Sequence, residues 1–101
     1  MTDFTLTYLK GMAYDPDLSF ADQWIPCEIC DDKATAVHHI DARGMGGTTQ
    51  EYKLSDLMGL CTECHEKHGD ITDQKPLLRT IHRLRMYARR VYLATQKIMS
   101  A

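Results

Sequence analysis

Between Cys27 and Gly69 the chain gathers residues that can bind metal and move protons: Cys27-Glu28-Ile29-Cys30, then Ala36-Val37-His38-His39-Ile40, then Cys61-Thr62-Glu63-Cys64-His65, with His68 three residues on. Two cysteines separated by two residues can both reach one tetrahedral ion, at Zn–S distances of about 2.3 Å. Cys27 with Cys30 and Cys61 with Cys64 make two such pairs, thirty residues apart, which predicts one structural zinc. A closed four-thiolate shell has no open position, so that ion clamps the chain and does no chemistry. The histidines beside it offer something else. A neutral imidazole accepts a proton near working pH, and a divalent ion held by two imidazoles keeps positions for water and phosphate. Phosphodiester hydrolysis needs both, a base for the attacking water and a charge on the phosphate.

These residues must be positioned by short elements. Cys27 and Cys30 sit on a tight turn. Ala36 to Ile40 reads as a strand, and Arg43-Gly44-Met45-Gly46-Gly47-Thr48-Thr49 as a loop in which backbone can approach a ligand closely. Asp56 to Leu60 reads as the return strand. Thr62 can cap a helix running through Cys64, His65 and His68 and stopping at Gly69. His38 and His39 are neighbours, and neighbours on a regular strand face opposite sides. Both serve one site only if the phosphate lies over the strand edge, or a bulge turns one of them.

Before this unit, Phe4, Leu6 and Tyr8 alternate like a strand, while Phe4, Tyr8 and Met12 also fit one helix face, and the pattern leaves both readings open. Phe20, Trp24 and Ile25 are expected to pack under the first cysteine pair. After the unit, Pro76 suits the first turn of a long helix. There Leu77, Ile81, Leu84, Ala88, Val91, Thr95 and Ile98 form a four-three seam expected to dock on the rest of the chain, with a coiled-coil-like homodimer as the alternative. Arg79, Arg83, Arg90 and Lys97 take the opposite side, and His82, Arg85 and Arg89 flank the seam.

At 101 residues, 44% of them apolar, the chain is expected to be one domain, residues 1–101, built of a 27–69 core and a basic amphipathic helix over 74–101. No apolar run is long enough to cross a membrane and no basic-then-apolar start marks a signal peptide, which predicts a cytoplasmic protein whose cysteines bind metal rather than pair. Charge is asymmetric. Residues 1–73 carry a formal −9 and residues 74–101 a formal +7 with no acid, together the chain's −2. A helix face of one sign predicts contact with the DNA backbone, salt-dependent and largely independent of sequence.

Residues 27–68 resemble the His-Asn-His (HNH) endonuclease family, in particular its small phage-type members. In that pattern a CxxC precedes a strand carrying an acidic residue or His followed by the general-base His. A Gly-rich loop and N-L-x-x-L-C-x-x-C-H then close the motif. The resemblance implies an α+β fold with a ββα-metal (His-Me finger) motif stapled by structural zinc. It implies a DNA phosphodiester hydrolase, in the host cytoplasm if phage-encoded. His39 takes the place of the general base, and His38 and His65 the places of ligands to one catalytic Mg²⁺, Mn²⁺, Ni²⁺ or Zn²⁺. The family's Asn falls on Asp56, which accepts hydrogen bonds but cannot donate them, so its partners must differ. His68 is either a third ligand or a helix-end histidine facing solvent, and Arg43 either reaches a phosphate or is an ordinary surface arginine. The alternatives are a non-catalytic zinc-stapled DNA- or partner-binding module and an RNA-directed nuclease.

Overall fold

The computed structural model describes residues 2–41, 53–69 and 71–100. Its frame is α+β: helix α1 (Asp3–Gly11), strand β1 (Ala36–His39), strand β2 (Leu57–Leu60), short helix α2 (Thr62–Cys64, continued by π-type turns over His65–Gly69) and long helix α3 (Lys75–Met99). Among the described residues no helix is long and apolar enough to cross a membrane. Arg43 and the Gly-rich loop around it lie outside the described residues.

Among the described residues the sheet is formed by β1 and β2, antiparallel, with His38 opposite Met58 and His39 opposite Leu57. A four-residue hairpin is marginal in water, and here it is covered on both faces. Leu57 joins Tyr8, Leu9, Met12, Phe20, Ile25 and Ala34 on the α1 side, whereas Met58 and Leu60 pack with Ile40, the cysteines and Leu78 on the other. Helix therefore wins at the N-terminus because the Tyr8 and Met12 face has a sheet to bury against. Thr2 caps α1 by accepting the Thr5 N–H at 3.4 Å. Phe20 and Ile25 are buried, but in the core beneath α1 and not in the one that holds the cysteines, and Trp24 is 63% exposed and stands outside that packing.

α2 is capped one residue earlier than the sequence suggests. The Cys61 thiol accepts the Cys64 N–H at 3.4 Å, and Thr62 is the first helical residue. Pro76 sits in the first turn of α3, as anticipated.

The docking face of α3 differs from the predicted seam. Leu78 and His82 are its buried residues, and Leu77, Leu84, Val91 and Ile98 are exposed. The rest of the chain offers α3 a row of oxygens beside an apolar strip, where Met86 packs on the α1 core and Leu78 and Ile81 on the second. His82 reaches the Glu28 carboxylate and Arg85 the Glu28 carbonyl at 2.9 Å. Arg85 also meets Asp31 at 2.7 Å, and Arg89 donates to the carbonyls of Met12 and Ala13. The line 78–82–85–89 is itself a four-three stripe, mostly of polar residues, and hydrogen bonds replace side-chain apolarity along it.

Candidate active site

The knuckles come together as the spacing requires. The chain reverses after Cys30 through Asp31, whose left-handed φ of 68° and N–H bond to the Cys27 carbonyl close the turn. Cys61 and Cys64 enter from the end of β2 and the start of α2. The four sulfurs all lie within 4.8 Å of one another, Cys30 and Cys61 at 3.7 Å. A tetrahedral ion with Zn–S bonds of about 2.3 Å has S–S edges of about 3.8 Å, so the donor set suits zinc. Burial and then the neighbouring cysteines push the Cys64 thiol far above its ordinary range. A divalent cation at the centre reverses that preference and favours thiolates.

The histidines divide between the two faces of β1, with no bulge in the register. His38, buried, points to the α2 side, where its ring meets that of His65 edge-on, centroids 4.9 Å apart. At this separation two imidazole nitrogens can meet one ion. Gly69 keeps the space beside them open: a Cβ there would come within 3.2 Å of both rings. It lies four residues after His65, on the same helix face, a role the sequence reading gave only to helix termination. His39 points to the α1 side, where the Phe4 ring holds it edge-on at 4.7 Å. The N-terminal helix thus supplies a wall of the site that the motif alone does not announce. His68 lies 2.8 Å from the Gln74 side-chain oxygen through Nδ1, which places its proton on that nitrogen.

Asp56 closes the far end of β1. One of its carboxylate oxygens accepts the Asp41 N–H at 3.1 Å and an Arg79 N–H at 3.3 Å, while its carbonyl accepts the Ile40 N–H at 2.9 Å. Both side-chain partners are donors, so an acceptor-only residue satisfies them. Arg79 also pairs with Asp41, which commits its guanidinium to this brace. Arg83 and Arg90 are exposed.

Behind the first knuckle is a buried ion pair that the sequence reading did not find. Glu28, 3% exposed, accepts the Tyr8 hydroxyl at 2.6 Å, the Gly59 N–H at 2.9 Å and His82 Nδ1 at 2.6 Å. His82, 1% exposed, donates its other nitrogen to the Leu54 carbonyl at 2.6 Å. Two acceptors on one ring require the imidazolium. Burial by itself would lower this histidine, but the Glu28 hydrogen bond and charge outweigh it, and its pKa is raised above the ordinary value. The pair links α1, the knuckle, β2 and α3. His82→Leu, which strands a buried carboxylate, is expected to cost about 3–5 kcal/mol in denaturant unfolding. Because the folded pKa is the higher one, the stabilisation is complete below about pH 6.5 and is lost as pH rises through the raised value. The midpoint of the parent should fall as pH rises above about 6.5 through the raised value, while that of His82→Leu lacks this dependence.

Comparison with known proteins adds one match. The model of the HNH endonuclease family covers residues 27–70, which hold the four cysteines, His38, His39, Asp56, His65 and His68. No curated protein and no solved structure matches the chain.

Proposed function

We propose that the chain is a ββα-metal endonuclease that hydrolyses DNA phosphodiester bonds with His39 as general base. The observation that carries this reading is the pairing of His38 with His65 at 4.9 Å, with His39 next along the strand, inside the segment that fits the HNH family model. His38 and His65 would hold one divalent ion, which when bound stabilises charge on the phosphate and the leaving oxygen. The four-cysteine site would hold a structural zinc.

His39 takes the proton of the attacking water on its neutral imidazole, and the Phe4 ring fixes the plane in which it can do so. Because His38 and His39 face opposite sides of β1, one phosphate is served by both only over the edge of the strand away from β2. Asp56 and Arg79 brace the Asp41 end of that edge, a positioning role an Asp fills as an acceptor. On α3, Arg83 and Arg90 supply the backbone contacts to DNA, since Arg79 is already paired.

The reading is tested by incubating metal-stripped, zinc-reconstituted protein with supercoiled plasmid across Mg²⁺, Mn²⁺, Ni²⁺ and Zn²⁺. Cleavage is expected with at least one ion and none in chelator. Absence of cleavage with every ion would overturn it.

A further inference from the structure

Of the seam expected to dock on the chain's own body, Ile81 packs against the second core, whereas Leu77, Leu84, Val91 and Ile98 are exposed. Leu77, Leu84, Val91 and Ile98 recur at intervals of seven, with Ile81, Ala88 and Thr95 between them, which is the spacing by which one helix meets another of its kind. Leu84 is 64% exposed and Ile98 77%, while α3 docks through its Leu78–His82–Arg85–Arg89 line instead. The body is 48 Å along its greatest extent. Toward the C-terminal end of α3 the side-chain bonds of Thr95 and Ser100 return to the helix itself.

The seam does not end at the helix. Beside Ala88 and Tyr92 a groove of about 320 Å³ runs to the exposed Trp24, with Tyr14 and Pro26 in its wall. Arg89 lies over the Tyr14 ring at 4.2 Å and fills the back of the groove. Trp24 and the exposed seam therefore form one apolar surface.

We propose that this surface is a homodimer interface, in which α3 of a second copy lies along the seam and buries Trp24. Two features select a second copy. The positions bordering the seam are Thr80, Tyr87 and Ala94 on one side and Arg85, Tyr92 and Met99 on the other. Arg85 is the one charge among them, and it is tied to Asp31 and the Glu28 carbonyl, so these flanks bring no unpaired charge to the seam. Trp24, Leu77, Leu84, Tyr92, Ile98 and Met99 are each more than half exposed, a set of large apolar side chains suited to an interface that takes about 800 Å² from each partner. A lipid surface is the weaker match, because residues 1–73 carry a formal −9 that anionic membranes repel.

Sedimentation equilibrium of the zinc-loaded full chain at micromolar concentrations is expected to give twice the 11.6 kDa chain mass. The fluorescence of Trp24, the chain's one tryptophan, should shift to the blue as concentration rises. L84E/V91E places charges in the seam at exposed positions and should weaken association more than about 100-fold while melting and zinc content of the monomer hold. I98R, at the most exposed seam position, provides the same test if the double variant folds poorly. A parent that stays monomeric throughout this range would overturn the proposal, including one that binds anionic vesicles instead. So would a dimer undisturbed by I98R and by L84E/V91E. These measurements need no nucleic acid and stand apart from the plasmid assay.

Discussion

Cys61→Ser is expected to cost the protein its fold and not only its metal. Its thiol serves three purposes at one position. It is one corner of the four-sulfur cluster, it accepts the Cys64 N–H at the start of α2, and it packs with Met58, Leu60 and Leu78 in the second core. That core owes much of its volume to the cluster itself, since Cys27, Cys61 and Cys64 are all among its buried members. Structural zinc contributes about 10–16 kcal/mol in small zinc-binding peptides, as much as the roughly 5–15 kcal/mol of an ordinary domain's stability. A serine hydroxyl keeps the shape but gives up the thiolate. The parent should carry one zinc per chain by native mass spectrometry, resist mild chelation and melt cooperatively. Cys61→Ser should bind zinc weakly and lose the cooperative transition. A soluble Cys61→Ser protein melting as the parent does would remove the structural role from the cluster.

The four-cysteine cluster was legible in the sequence because ligand geometry is local. The two residues between the cysteines of each pair, Cys27 with Cys30 and Cys61 with Cys64, fix what a turn and a helix start can present to one ion. Strand alternation likewise set His38 and His39 on opposite faces, and the register of β1 against β2 keeps them there. The N-terminal helix was ambiguous for a physical reason: the period of Phe4, Tyr8 and Met12 acquires meaning only from the sheet they cover. The docking face of α3 was misread because its partners are more than fifty residues away. His82 and Arg85 look like flanking polar residues until Glu28 and Asp31 are placed opposite them. Glu28 itself was hidden inside a CxxC, where its neighbours claim attention as ligands. A glutamate between Ile25, Cys27 and Ile29 was the available signal, and a histidine bordering an apolar seam its counterpart.

The two neighbouring histidines should fail differently when replaced. His39→Ala removes a half-buried ring resting on Phe4, not a core residue, so the fold and divalent binding should survive. Cleavage should fall by roughly 10²–10⁴-fold, the usual worth of a general base. His38→Ala and His65→Ala remove the two rings that meet across Gly69, and on the proposed function what they should lose is occupancy of the ion. Their activity should recover in part as the divalent concentration is raised, whereas that of His39→Ala should not. The parent's rate should rise with pH as the imidazole becomes neutral, because only that form accepts the water proton. This dependence should disappear from the residual rate of His39→Ala. Single-turnover cleavage of a labelled duplex at several metal concentrations separates these cases, with filter binding as the check that DNA is still held. Two other results would each be decisive. Metal rescue of His39→Ala would move that residue to the ligand set. Equal and negligible turnover by parent and variant with every ion, at undiminished DNA binding, would leave a zinc-stapled DNA-binding module that does no chemistry.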